Sequence, residues 1–320
     1  MNKTEDRIER YLEPHFKDIQ DTSCTIVGMG TLGSKNAKNL GRIGVNLKLI
    51  DRDFVESKNL SNQGYLESDV GEFKVEAMKK KIKRIREKNK SEIESSVVDL
   101  NSNNIEREIK DTDVIIDSTD NLKTRLLLND FAKKREIPLI IGMLGGSEGM
   151  TMTVSPNGPC FKCVLGEEPI SQGTCDELGI SPGIAEVISG LQIRQFIDIV
   201  KDKPVENLLT VNLENMDFNG LKLKRRENCS TCNGKYEELN RIKESRVLCD
   251  KKSVQMYPRI TDLTKLKEIN PNLDIYENKI GILESSDIKI MIYESGKAIV
   301  KGVESVEEAR KEYDRLLGGR

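Results

Sequence analysis

The sequence predicts an α/β fold: a mostly parallel sheet with helices on both faces, plus a small C-terminal α+β module. Three observations predict it. Short apolar runs such as Cys24-Thr25-Ile26-Val27 and Val114-Ile115-Ile116 alternate with helical stretches over the first half of the chain. Strands alternating with helices imply parallel strands joined by crossovers. A glycine-rich turn, Gly28-Met29-Gly30-Thr31-Leu32-Gly33, lies between the first strand and its helix, the arrangement of a Rossmann-like unit. From about residue 245 the pattern changes to short strands with two flanking helices.

In chain order, residues 1–20 are charged with scattered apolar positions and open with a short helix. The strand at 24–27 and the glycine turn lead into helical spacing over 34–43. Asn46 to Ile50 is a second strand, closing on Asp51-Arg52-Asp53. Residues 54–72 form a long polar connection without a period, which in a compact domain points to function. Phe73 to Asn89 is a very basic helix, and its run Lys79-Lys80-Lys81-Ile82-Lys83-Arg84 reads as a solvated face or a surface for an acidic partner. Strands near 93–98 and 113–117 flank a short helix at 103–110. A helix over 121–134 precedes the strand Pro138-Leu139-Ile140-Ile141-Gly142.

Beyond residue 150 come strands, a cysteine pair and a Gly-, Ser- and Pro-containing loop over 166–183. A helix near 184–200 and two strands within 207–225 precede a second cysteine pair. The expected division is one domain over 1–244 and a module over 245–320. Within that module, Ser253–Tyr257, Asp274–Tyr276, Ile280–Leu283, Ile288–Tyr293 and Ala298–Lys301 read as strands.

Composition narrows the chemistry. The 320 residues carry 51 basic and 53 acidic side chains, a net charge of −2, which provides no global field for nucleic acid or an anionic membrane surface. No apolar stretch is long enough to span a membrane, and the first residues contain no signal-like apolar run, so a cytoplasmic protein is expected. The single histidine, His15, excludes imidazole-rich metal sites and reads as a surface or packing residue.

Four of the seven cysteines stand as Cys160-x-x-Cys163 and Cys229-x-x-Cys232. Two such knuckles can close a tetrahedral Zn2+ site with no open position, hence a structural one. Buried thiols or an iron–sulfur cluster are the alternatives. Cys24 reads as a core thiol, and nothing singles out Cys249.

Gly28, Gly30 and Gly33 permit a tight turn whose amides approach a phosphate at a helix N-terminus. Asp51, ending the next strand, can accept hydrogen bonds from a ribose. Together they point to an adenine nucleotide, and a nicotinamide-dependent oxidoreductase would show the same two features. Asp117-Ser118-Thr119-Asp120-Asn121 ends another strand, where a carboxylate can hold Mg2+ against polyphosphate oxygens. Asp120 could equally cap the following helix. Cys175, in a polar loop before an apolar helix, is either an inert thiol or a nucleophile of lowered pKa.

In this order the motifs resemble the ThiF/MoeB/HesA family of ubiquitin-activating-like adenylyltransferases, over roughly residues 5–240. Arg7-Ile8-Glu9-Arg10 looks like the family's N-terminal Arg-x-x-Arg, whose second arginine reaches the nucleotide of the partner subunit. Gly28 to Gly33 matches the nucleotide loop, with Thr31 where glycine is usual. Asp51-Arg52-Asp53 with Asn59, Leu60 and Gln63 resembles the ribose- and phosphate-binding stretch. Asp69-Val70-Gly71-Glu72-Phe73-Lys74 resembles the segment carrying a phosphate-binding lysine. Asp120-Asn121 with Arg125 and Asn129 looks like the magnesium motif. Thr174-Cys175 to Gln192 resembles the loop of the acceptor cysteine and its helix.

Asn62 replaces the arginine usual in Ser-Asn-Leu-x-Arg-Gln, and Lys58, standing where serine is usual, is expected to restore the charge. The tail from 245 resembles a small module found on some ThiF-like proteins.

The resemblance implies an ATP-dependent enzyme, working with Mg2+ and carrying structural Zn2+. It would adenylate the C-terminal glycine of a ubiquitin-like sulfur carrier ending in Gly-Gly. A homodimer and a sulfur donor such as a cysteine desulfurase are the implied partners. A nucleotide-binding adaptor of the same fold is a further alternative.

Overall fold

The computed structural model describes residues 7–85, 91–166, 179–203, 208–240, 245–248, 252–258, 262–276, 280–285, 287–293 and 296–318. The chain divides into two units, one of residues 1–96 and 100–240, the other of residues 97–99 and 241–320.

In the first unit, α1 (Arg7–Leu12) and α2 (Phe16–Asp21) precede β1 (Ser23–Val27), α3 (Thr31–Ile43) and β2 (Asn46–Asp51). The expected single opening helix is two short ones, separated at Glu13-Pro14. His15 sits half-exposed at the start of α2, beside Asp18. Then come α4 (Lys74–Ile85), β3 (Ile93–Val97), α5 (Ile105–Glu108), β4 (Val114–Asp117), α6 (Leu122–Arg135), β5 (Leu139–Gly145) and β6 (Glu148–Val154). The unit continues through α7 (Phe161–Leu165), α8 (Pro182–Val200), β7 (Leu208–Asn212) and β8 (Asp217–Leu221).

These strands form one sheet in the order β3-β2-β1-β4-β5-β6-β7-β8. β2, β1, β4 and β5 run parallel, whereas β6, β7 and β8 pair antiparallel. The switch follows from the connection between β5 and β6. Gly146 (φ +58°) and Ser147 join them directly, and so short a turn permits only an antiparallel pair. β1 and β4 are buried nearly throughout, as expected of strands covered on both faces. α3 buries Leu32, Ala37, Leu40 and Ile43, and Gly44 ends it in the left-handed conformation that a side chain disfavours. Cys24 is fully buried in β1, and burial pushes its thiol pKa far up, so it is a core residue.

The polar connection after β2 closes on itself. Phe54 bridges Phe73, their rings stacked with centroids 4.1 Å apart, and Lys74 donates its amide to Asp53 at 2.9 Å. The basic run of α4 serves its own chain: Lys79 bonds Ser95, Lys80 pairs with Glu72 and Lys81 with Asp69.

The second unit contains β9 (Arg246–Val247), β10 (Ser253–Met256), α9 (Leu263–Ile269), β11 (Asp274–Tyr276), β12 (Ile280–Ser285), β13 (Ile288–Tyr293), β14 (Lys297–Lys301) and α10 (Val306–Leu317). Its antiparallel sheet runs β11-β12-β13-β14-β10-β9. Leu266 of α9 and Tyr313 of α10 pack with Val254, Ile290, Ile292 and Val300 in one core. The two-residue β9 is too short for any periodicity to announce it. No helix of the described residues is long and apolar enough to cross a membrane.

Candidate nucleotide and metal sites

The C-terminal ends of β1, β2 and β4 meet at the glycine turn. Gly28 has φ +89°, and a Cβ there would lie 2.8 Å from the Ser118 carbonyl oxygen. A Cβ on Gly33 would lie 1.8 Å from the Gly28 oxygen, so the helix start can approach the strand end only without a side chain. Gly30, the N-cap of α3, differs: a Cβ would meet nothing within 4 Å. Its backbone therefore borders open space at a helix N-terminus, where a phosphate can approach the amides.

Asp51 ends β2 and folds its carboxylate back on this turn. One oxygen accepts the Met29 N–H at 2.5 Å and the other the Asp53 N–H at 2.8 Å. Burial and the neighbouring Asp53 charge raise its pKa to about 6, against the opposing pull of Lys74 and the two amides. The buried Lys74 ammonium lies 3.5 Å from Asp53. Tyr65 escaped the sequence reading. Its buried hydroxyl donates to the Met29 carbonyl at 2.7 Å, so Met29 is held from both sides of its backbone.

The turn after Asp53 shapes the next group. Asn59 is buried and accepts the Glu56 N–H at 2.9 Å, capping a 3-10 turn over Ser57–Ser61. Lys58 is ion-paired with Glu56 at 2.7 Å. The side-chain oxygens of Asn62 and Gln63 are buried with no hydrogen-bond partner among the described residues. Gly64 then donates its amide to Ser34, tying this turn to the start of α3.

Asp120 is exposed on the loop between β4 and α6. The helix cap is Asn121, whose side chain accepts the Lys123 N–H at 2.9 Å, which removes capping as the role of Asp120. Behind the loop, Arg125 pairs with the fully buried Asp117 and donates to the Gly142 carbonyl at 3.0 Å. Arg10 lies exposed on α1, and Cys175 lies outside the described residues.

The four cysteines converge on one point. Cys160 Sγ is 3.9 Å from Cys163 and 3.4 Å from Cys229, and Cys163 is 3.6 Å from Cys232. All four sulfurs lie within 4.8 Å of one another. A tetrahedral zinc site with Zn–S of about 2.3 Å has sulfur–sulfur edges of about 3.8 Å, so the sulfurs fit Zn2+ in both softness and spacing.

This fold is that of a Rossmann-like α/β domain with a glycine turn at its strand ends and a four-cysteine cluster. The ThiF family profile matches residues 5–231, and the chain belongs to the ThiF family. It is similar to the sulfur carrier protein ThiS adenylyltransferase of Bacillus subtilis (strain 168), with 32% identity covering 94% of each chain. The SAMP-activating enzyme E1 of Haloferax volcanii is 29% identical over 67% of this chain and 81% of its own. Among solved structures, E. coli MccB crystallised with ATP shares the fold, with a TM-score of 0.58 at 16% identity over 68% of each chain.

Proposed function

We propose that this protein is an adenylyltransferase that uses ATP to activate the C-terminal glycine of a small ubiquitin-like sulfur carrier. The observation that carries the reading is the grip of Asp51 and Tyr65 on Met29, which fixes a glycine turn open at Gly30 beside Lys74. Its similarity to an adenylyltransferase of a sulfur carrier, over nearly the whole chain, gives that turn its chemistry. A nicotinamide oxidoreductase would leave Lys74 and the four cysteines without a role.

In this reading Gly28, Gly30 and Gly33 admit the phosphates, Asp51 accepts the ribose hydroxyls, and Asp53 holds Lys74 toward phosphate charge. Asn59 shapes the adjoining turn, and Asn62 offers the nucleotide an uncharged amide where the family motif usually has arginine. Lys58 supplies the missing charge on leaving Glu56, and unchanged nucleotide affinity in Lys58→Ala would reject that role. Asp120, an exposed hard carboxylate with no bonded partner among the described residues, suits Mg2+, which when bound would neutralise polyphosphate charge. The carrier carboxylate attacks the α-phosphorus, the bond to the bridging oxygen breaks, and pyrophosphate leaves. The acyl-adenylate then loses AMP to a sulfur nucleophile, for which Cys175 is the candidate. Positioning and charge neutralisation supply the rate.

The protein acts as a cytoplasmic homodimer in which the partner subunit's Arg10 reaches the phosphates, with a cysteine desulfurase as sulfur donor. The domain over 1–244 carries the chemistry, and the module over 245–320 accompanies it. ATP–pyrophosphate exchange with Gly-Gly-ended carriers tests the reading. Exchange that requires a carrier and disappears in Asp120→Ala is the expected result. ATP binding without exchange for any carrier would favour an adaptor instead.

A further inference from the structure

One buried carboxylate touches the inside of both cysteine knuckles. Asp130, on α6, is fully buried. Its Oδ1 accepts the Thr231 hydroxyl at 2.5 Å and lies 3.6 Å from the Lys162 ammonium, and its Oδ2 accepts the Glu238 N–H at 2.9 Å. Thr231 lies between Cys229 and Cys232, and Lys162 lies between Cys160 and Cys163. The preceding residue, Asn129, accepts the Phe161 N–H at 2.7 Å, again within the first knuckle.

A carboxylate shielded from water is costly unless its oxygens are bonded, and here both are. None of the adenylation chemistry uses it. The knuckles, by contrast, are separated by a long stretch of chain and must be brought to one point. Lys162, inside the first knuckle, pairs with Asp130 at 3.6 Å and with Glu237 at 3.2 Å.

We propose that Asp130 is the positioning residue of the metal site, holding the two knuckles at metal-binding spacing through Thr231 and Lys162. The inference is independent of the nucleotide reaction. Zinc that meets preassembled thiols binds more tightly than zinc that must gather them, because the ordering cost is met by folding.

The test uses the full chain, with zinc affinity read by competition against a chromophoric chelator and thiolate geometry by Co2+ absorption. Thr231→Val removes the hydroxyl at nearly constant shape and is expected to weaken zinc about tenfold, the low end for loss of an outer-shell partner. Thr231→Ser restores the hydroxyl and is expected to bind as wild type does. Asp130→Asn keeps the shape, loses the charge opposite Lys162, and is expected to weaken zinc further. Wild-type affinity in Thr231→Val, equal weakness in Thr231→Ser, or no tetrathiolate cobalt spectrum in wild type would each overturn the proposal. Should Asp130→Asn fail to fold, the Thr231 pair decides alone.

Discussion

Arg125 and Asp117 form an ion pair almost wholly shielded from water, Nε to Oδ2 2.7 Å, with the arginine 3% exposed and the aspartate fully buried. The guanidinium also donates to the carbonyls of Thr119 and Gly142, and the second Asp117 oxygen accepts the Thr119 amide and hydroxyl. The pair thereby fixes the loop that ends in Asp120. Removing one partner leaves a buried charge unpaired, at a cost of about 3–5 kcal/mol. Arg125→Met should lose that much in urea unfolding, and Arg125→Lys should recover little, since an ammonium cannot span the same three acceptors. Near-wild-type stability in either variant would contradict the assignment.

Asp120 and Asn121 are neighbours with separable duties. Asn121 caps α6, so Asn121→Ala should cost about 1 kcal/mol of stability. Asp120 is exposed with no bonded partner among the described residues, so Asp120→Asn should leave stability within about 0.5 kcal/mol. If Asp120 works on the reacting phosphates, the same variant should lose exchange activity by on the order of a hundredfold. A stable variant with full activity would remove Asp120 from the site.

The alternation of apolar runs and helices made the parallel part of the sheet legible, because β1 and β4 are buried almost throughout and carry the apolar runs Ile26-Val27 and Val114-Ile115-Ile116. The antiparallel β6 was harder to read. Its Met150, Thr151, Met152 and Thr153 mix polar and apolar side chains, and the buried Thr151 donates its hydroxyl to Gln195 at 2.6 Å. Such a partnership across distant chain segments has no local signature. Motif residues such as Gly28 and Asp51 announced themselves by spacing. Tyr65 and Asp130 did not, since each acts through a tertiary hydrogen bond to a residue far away in sequence.

Asp51 should produce two pH trends of opposite sign. Its pKa is raised to about 6 in the folded chain, against about 3.9 when unfolded. Between those values the folded state holds a proton the unfolded state has lost, so this group's contribution to stability falls as pH rises from about 4 to about 6, by on the order of 2–3 kcal/mol. If Asp51 accepts the ribose hydroxyls, binding needs its ionised carboxylate, so nucleotide affinity should rise over the same interval and level off above about pH 6. Asp51→Asn should flatten both trends, and comparing it with wild type cancels the titration of the nucleotide's own phosphates. Identical pH profiles in the two proteins would remove Asp51 as the cause.

Tyr65 secures the glycine turn by one hydrogen bond to the Met29 carbonyl. Burial and the charges of Asp51, Asp69 and Asp53 push its pKa far up, so the hydroxyl remains a donor throughout the working pH range. Its segment is pinned by Lys81, which pairs with Asp69, donates to the Gly64 carbonyl at 2.9 Å and lies 5.5 Å from the Tyr65 ring centre. Tyr65→Phe removes the donor at constant ring volume and leaves the fully buried Met29 without it, a cost of about 1–3 kcal/mol. If the turn holds ATP, part of that cost reaches the nucleotide as a looser turn. KM for ATP should rise about five- to tenfold with kcat little changed, because the turn contacts ground and transition states alike. A fall in kcat at constant KM would instead place the hydroxyl in the chemical step.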